Sequence, residues 1–554
     1  MQFSAKHIDR HQQVTALQQE FHARYDKLHI KYNALYREMI DFKTKANYWE
    51  AQFNKFKSRE ELLKAEIEEL KAKLRKREAQ LFGNKSEKNL QRQDAFSPSQ
   101  TAVSSTKKKG QQKGSKGHAK RDYNNLPAVE EIVSLSDEST ICPCCHLPYK
   151  ELADTEDSEV LEIINVKPYR RIIRRKKYKR CCSCESNPDP KIITPPPSER
   201  LFPKSTIGTS IWAFLLLKKF EYQQPIYRTL AELSGNGLSL AKGTITDGLQ
   251  KLLPLFIPAY DAIVAHNIAA KHWHADETGW KVYDEVEGKH KHRWYLWTFH
   301  TAETIVYKIE KSRSSQVLRE HFGAGHSGGI LSVDRYSAYK VIAKSGLFIL
   351  AFCWAHVRRD FLNYAKEYPH NERFGLRWVE RINHLYHLNN LRQSDKPKST
   401  AFIEHDKALK SAILTFQEAI GEELNDKKLL PSAKKLLVSL QRHWSGLTVF
   451  IEHPEIPMDN NTAERGLRKS IVGRKNYYGS GAIWSAELAA ALFTLFGTLK
   501  LWKLNVHTWL LGYFYECAML GGKPPDNIEK FLPWNMTEKQ KRLFSEPPKY
   551  EDSG

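Results

Sequence analysis

Hydrophobic positions recur every 3.5 residues from Val14 to Leu81. Stepping alternately by four and three meets Val14, Phe21, Tyr25, Leu28, Tyr32, Leu35, Met39, Phe42, Ala46, Trp49, Phe53, Phe56, Leu63, Ile67, Leu70, Leu74 and Leu81, broken only by Gln18, Glu60 and Arg77. No proline or glycine interrupts the stretch. A seam of this period predicts an N-terminal α-helical coiled coil over 1–83, because a lone helix would leave its apolar stripe in water. A helix folded against its own domain is the plainer alternative.

The pattern collapses after Gly83. Residues 84–125 are polar and hold ten Lys or Arg against Glu87, Asp94 and Asp122; such a stretch buries no core and reads as a basic flexible linker. Residues 201–265 return to helical spacing, and the turn Leu-Ser-Gly-Asn-Gly-Leu before Ser239 to Leu249 has the look of a helix-turn-helix, or of a helical segment packed on the next domain. Short apolar runs then predict strands: KHWHADETGWKVY, HRWYLWTFH, TIVYKIEK, GGILSVDRYSAY and LFILAFCWAHVRR, with helical SRSSQVLREHFG between the third and fourth. Three strands followed by β-α-β is the order of an RNase H-like α/β fold. That places the first part of a catalytic core at 266–364, a helical insertion at 365–455, its last helices at 456–505 and a C-terminal element at 506–554.

Composition narrows the chemistry. The 554 residues hold 86 Lys or Arg against 64 Asp or Glu, a net charge of +22, so the expected partner is a polyanion, double-stranded DNA before a membrane. A hydrophobic fraction of 41% excludes global disorder. The longest charge-free apolar stretch, Leu488 to Leu499, is too short to cross a bilayer, and the N-terminus has no apolar leader. A soluble cytoplasmic protein is expected.

Two C-x-x-C pairs, Cys142 with Cys145 and Cys181 with Cys184, predict a four-thiolate structural Zn2+ site in a zinc-ribbon DNA-binding domain at 126–200. Cys144 and Cys182 leave a shifted register open, and His146 is a weaker substitute. Between the pairs, residues 167–180 hold nine Lys or Arg and no acid; Arg170, Arg171, Arg174, Arg175, Lys176 and Lys177 are candidate phosphate contacts. Asp276 in HADETGW and Asp334 at the end of Ile330–Val333 abut buried strands, where paired carboxylates suit hard divalent ions such as Mg2+. In IPMDNNTAERGLRKSIVGRKNYYGSG, Asp459, Asn460 or Asn461 caps a helix whose first turn holds Glu464. Arg468, Arg474 and Lys475 follow it as candidate DNA contacts, and Arg358 and Arg359 of WAHVRR join them; ion pairing within the fold is the competing role. His356 reads as a buried hydrogen-bonding histidine.

The chain resembles the insertion-sequence-66 family of bacterial DDE transposases along nearly its whole length. The matching pieces are LFGNKSEK, the paired C-x-x-C ribbon, HADETGW, SVDRYSAY, CWAHVRRDF, DNNTAERGLR, GRKNYYGSG and the tail PPDNIEKFLPWNM. The resemblance implies that Asp276, Asp334 and Glu464 form a catalytic triad holding two Mg2+ ions, or Mn2+ in their place. It implies binding of terminal inverted repeats, strand cleavage and strand transfer into target DNA. It also implies that accessory proteins encoded by the same element take part. The heptad seam, for its part, predicts a homodimer or higher oligomer through the coiled coil, and a DNA-bound protein would be nucleoid-associated. A catalytically inactive, zinc-containing DNA-binding protein derived from a transposase is the competing expectation. The sequence departs from the family pattern at Arg335, where glycine is usual, and at Gly466, where alanine is usual.

Overall fold

A computed structural model describes residues 4–82 and 200–548, with gaps at 203–204, 285–291, 324–327 and 345, together with Pro168 and the pairs Tyr178–Lys179 and Ile192–Ile193. Helix α1 (Ser4–Phe82) is continuous. Two short strands, β1 (Tyr178–Lys179) and β2 (Ile192–Ile193), pair antiparallel. The candidate zinc ligands Cys142, Cys145, Cys181 and Cys184, their alternatives Cys144, Cys182 and His146, the expected linker, and Arg170, Arg171, Arg174, Arg175, Lys176 and Lys177 lie outside the described residues.

The rest is mostly helical around one mixed five-stranded sheet. Helices α2 (Thr209–Leu216), α3 (Ile226–Gly235) and α4 (Lys242–Ile268) precede the strands. Strands β3 (His272–Trp280), β4 (Trp294–His300) and β5 (Ile305–Glu310) come next, then α5 (Ser315–Phe322), β6 (Gly329–Val333), α6 (Ser337–Ala343), β7 (Phe348–Phe352) and α7 (Trp354–Glu367). A helical stretch follows: α8 (Glu372–Ser394), α9 (Thr400–Leu424), α10 (Pro431–Arg442), α11 (Trp444–Leu447) and α12 (Val449–Glu452). The chain ends with α13 (Asn461–Tyr477), α14 (Ile483–Leu501), α15 (Val506–Met519) and α16 (Glu538–Ser545). The strands fall where the apolar runs predict them.

The sheet order is β5-β4-β3-β6-β7, antiparallel on the β5-β4-β3 side and parallel from β3 through β6 to β7. Because side chains alternate along a strand, register decides which residues share a face. His272 pairs with Ile330 and His274 with Ser332; two residues further on, the same register sets Asp276 beside Asp334. Both acids therefore share the face of His272 and His274, while Trp273, Ala275 and Glu277 take the other.

Edge strand β5 would present bare backbone N–H groups. Buried Thr494 and Thr498 of α14 cover them: Tyr307 N donates to Thr494 Oγ1 (2.8 Å) and Ile305 N to Thr498 Oγ1 (3.1 Å). This helix corrects one sequence expectation. Counting only the charge-free run stops at Leu488, yet α14 runs on through Glu487 to Ile483 and is long and apolar enough to span a membrane by length and composition. It is 67% buried inside the protein, as a core helix is.

The apolar seam of α1 is exposed, with Phe21 at 70% and Trp49 at 68%. A different face meets the core near its end: Ala72 is buried, Arg75 Nη1 donates to Glu367 O (2.5 Å), and Lys76 pairs with Glu367 (3.4 Å). Within the helical stretch, fully buried Arg392 donates to Asp406 (2.8 Å), Asn389 (2.7 Å) and the Phe450 carbonyl (2.8 Å), so its charge is paired rather than stranded.

Helix α2 packs on α4 so closely that a Cβ on Gly248 would lie 2.0 Å from Cη2 of buried Trp212. Alanine would gain about 1 kcal/mol of helix propensity there and lose more to overpacking. Gly248→Ala is expected to lower stability by about 1–2 kcal/mol, read as a lower urea midpoint; an unchanged or higher midpoint would contradict this packing.

Candidate active site

Three separate stretches of chain meet on one face of the central strand. Asp276 comes from β3, Asp334 from the residue after β6, and Glu464 from the first turn of α13. The loop before α13 is tied down at several points. Asn460 is buried; its Nδ2 donates to Ala275 O (2.8 Å), its Oδ1 lies 2.9 Å from His274 Nδ1, and its backbone N donates to Cys353 Sγ (3.2 Å). Trp354 N donates to Met458 O (2.9 Å), joining the same loop to the start of α7. Of the three candidate caps, Asp459 accepts from Asn461 N (3.0 Å), while the Asn460 amide faces the sheet.

The acids are electrostatically coupled. Burial, then the charges of Glu277, Asp334 and Glu464, push the Asp276 carboxyl up to about 7, against a hydrogen bond from Glu277 N (2.8 Å). Asp334 Oδ1 accepts from Tyr336 N (2.9 Å). Glu464 Oε1 lies 3.3 Å from His356 Nε2, and both side chains are partly exposed. Burial and Arg359 hold the His356 imidazole below its usual range, against the pull of Glu464 and Asp334.

Glu277 occupies the opposite face with different company. Its Oε1 accepts from Arg313 Nε (2.8 Å) and Nη2 (2.6 Å), and its Oε2 from Tyr339 Oη (2.5 Å). Arg313 also lies 4.0 Å over the Tyr336 ring. Burial still raises the Glu277 carboxyl above its ordinary value. Behind Asp276 sit three histidines: the His272 and His274 rings are 4.7 Å apart, and those of His274 and His300 are 6.4 Å apart. Burial lowers His272 to about 3 and His300 to about 4. The sequence reading missed Glu277, Arg313, Tyr339 and these histidines. Strand alternation in HWHADETGW was the available signal, since it separates His272, His274 and Asp276 from Glu277.

The basic candidates divide by position. Arg468 and Lys475 are exposed on α13. Arg474 is turned inward, donating to the Gly279 carbonyl and to Thr278 Oγ1 (3.4 Å), so it braces α13 on β3. Arg358 donates to Asn383 (2.8 Å), and Arg359 acts on His356. Arg335 pairs with Asp360 and donates to Ser439 (3.2 Å), which draws its charge toward α7 and α10. At Gly466, a Cβ would meet Tyr307 Oη at 3.4 Å, so the packing leaves room for the usual alanine.

Among the described residues, no group of three or more His, Cys, Asp or Glu is disposed to hold a metal ion as the side chains stand. The donor chemistry nevertheless suits a hard divalent cation: three carboxylates share one neighbourhood, and burial with the surrounding acids keeps one of them from ionising readily.

A family model described as transposase IS66 family matches residues 204–488, just over half of the 554. Two proteins of Sinorhizobium fredii, y4jD and y4hP, both described as uncharacterized, are similar over most of their length. The first is 26% identical over 74% of this chain and 80% of its own, the second 25% identical over 71% and 73%.

The raised Asp276 carboxyl makes a signed prediction for metal-free protein in EDTA. Between the ordinary value of 3.8 and about 7, the folded state holds a proton that the unfolded state has released. Stability therefore falls as pH rises through that window and levels off above it. Asp276→Asn is expected to raise the thermal midpoint most above pH ~7 and hardly at all near pH ~4. Equal shifts at both pH values would refute the assignment.

Proposed function

The chain belongs to the transposase IS66 family, and from that premise we propose that it is a DNA transposase whose acids Asp276, Asp334 and Glu464 carry metal-dependent strand cleavage and strand transfer. The observation that carries the reading is the convergence of these acids from β3, β6 and α13, with Asp334 and Glu464 both raising the Asp276 carboxyl. The strand order, antiparallel then parallel about β3, supports an RNase H-like class for the sheet.

The three acids would hold two Mg2+ ions, or Mn2+, which when bound supply Lewis-acid activation of a water or terminal 3′-hydroxyl and stabilise the leaving oxygen. The protein's own groups do the rest. Asp276 sits on the central strand of the sheet, flanked by β4 and β6, which limits the movement of its backbone. The His274–Asn460 contact fixes the start of α13, and with it the approach of Glu464 to the sheet. His356 orients Glu464 from α7. Glu277, neutralised by Arg313 and Tyr339 across the sheet, keeps β3 from sliding without adding a ligand. Exposed Arg468 and Lys475 would contact DNA phosphates.

The remaining parts complete the proposal. Cys142, Cys145, Cys181 and Cys184 hold structural Zn2+, and the arm with Arg170 and Arg171 tracks phosphates of the element ends. The exposed seam of α1 pairs with a second copy, which would bring two DNA ends together.

Asp276→Asn, Asp334→Asn and Glu464→Gln are each expected to cut magnesium-dependent joining of element 3′ ends roughly 100-fold or more while leaving end binding in place. Joining at wild-type rate by the purified variants would overturn the triad; binding without joining by the wild type would favour the inactive DNA-binding reading. A native mass measurement is expected to give a dimer or larger species, reduced by Leu35→Asp combined with Phe42→Asp. A monomeric wild type would remove the pairing.

A further inference from the structure

Three exposed tyrosines sit on loops that hydrogen bonds draw together at the C-terminal end of α13. Tyr222 (66% exposed) follows the π-helical turn Leu217–Glu221, Tyr283 (60%) follows β3, and Tyr478 (65%) ends α13. Asn476 Nδ2 donates to Gln223 O (2.9 Å), and Tyr477 Oη donates to Gln223 Oε1 (3.1 Å). Ser480 N donates to Lys281 O (2.9 Å), Tyr283 N donates to Ser480 O (3.0 Å), and Trp280 Nε1 donates to Ser480 Oγ (3.1 Å).

The backbone there is strained. Gln223 (φ 59°) and Tyr478 (φ 65°) lie in the left-handed region, which a bulky side chain occupies only when its surroundings enforce it. Gly473 is needed for the approach, since a Cβ would lie 2.0 Å from Gln223 Oε1. The left-handed turn at Tyr478 ends α13, its N–H donating to Arg474 O (2.8 Å), and it leaves the ring face open to a ligand.

The surroundings are basic. Lys475 is exposed beside Tyr478, and Lys219 Nζ lies 4.3 Å over the Tyr477 ring. Arg465, Arg468, Val472 and Lys475 form one exposed ridge along α13, leading back to Glu464. Among the described residues, Glu221 pairs with Lys469 and Lys500, and Asp284 accepts from Ile483 N (3.4 Å).

We propose that Tyr478, with Tyr222 and Tyr283, is a stacking platform for unpaired bases of a DNA strand led along the Arg465–Arg468–Lys475 ridge. This rests on the transposase reading and adds what that reading leaves out, a site for single-stranded DNA. Ring faces need base faces, and a duplex offers only edges and backbone, so the ligand is unpaired. Fourteen residues of helix separate Glu464 from Tyr478, roughly 21 Å or about six base-pair steps. The platform therefore holds DNA frayed at that distance from the acids.

The test uses the full chain with its zinc retained and no Mg2+ added, with anisotropy of a duplex and of the same duplex carrying a short unpaired tail that contains 2-aminopurine. The tail is expected to tighten binding about 10-fold and to quench the 2-aminopurine. Tyr478→Ala is expected to lose most of that preference and the quenching, and Tyr478→Phe to keep both. Tyr478→Gly separates binding from folding: glycine suits the left-handed position, so the thermal midpoint should rise on the order of 1 °C while the preference is lost. Equal binding of both DNAs, or a preference that survives Tyr478→Ala, overturns the platform alone; failure to bind either DNA overturns the transposase reading with it.

Discussion

One buried amide ties together the chain segments that carry Asp276, His356 and Glu464. Asn460 contacts β3 through Ala275 and His274 and reaches Cys353 at the start of α7 through its backbone N–H. Chain segments nearly two hundred residues apart are thereby joined at one point, and each carries an acid or its partner: Asp276 on β3, His356 on α7, Glu464 on α13. A buried amide hydrogen-bonded through both its oxygen and its nitrogen favours one arrangement, because a shift strands polar groups away from water. Burial holds the His274 imidazole below its usual range, against the Asn460 contact and the charge of Asp459, which both favour the protonated ring.

The sheet separates two carboxylates that the sequence places side by side. Alternation sends Asp276 toward α13 and Glu277 toward α6, and the environments differ accordingly. Glu277 meets a guanidinium and a phenol, so its charge is compensated inside the protein. Asp276 meets burial, the charges of Glu277, Asp334 and Glu464, and a single backbone N–H, so its charge is left for something external to balance. Two adjacent acids thus become a brace and a candidate ligand through strand geometry alone. The same economy appears at the sheet edge, where Thr494 and Thr498 satisfy β5 from a helix that is otherwise apolar.

The basic side chains divide in a similar way. Arg474, Lys469 and Arg335 make specific contacts within the fold, whereas Arg465, Arg468 and Lys475 line the outer face of α13. Helical periodicity sets this division, and it leaves a continuous cationic ridge running from the acids to the strained tyrosine at the helix end.

Local pattern was enough to find the five strands, the continuous helix α1, and the positions of Asp276 at a buried strand and Glu464 in a first helical turn. Each of these depends on periodicity or on neighbours a few residues away, which a sequence displays directly. The turn of the Asn460 side chain onto the sheet instead of onto the helix it precedes, the inward turn of Arg474, the clamp of Arg313 and Tyr339 on Glu277, and the histidines gathered behind Asp276 were not legible. They are contacts between residues far apart in the chain, and nothing in local spacing records which distant backbone a side chain will meet. The extent of α14 belongs with them, because Glu487 looks like a stop in the sequence and lies within a single helix in the fold. The sequence by itself determined which residues could carry charge, bind metal or end a strand; tertiary structure decided which of them stand together, because register and long-range hydrogen bonds exist only once the chain has closed on itself.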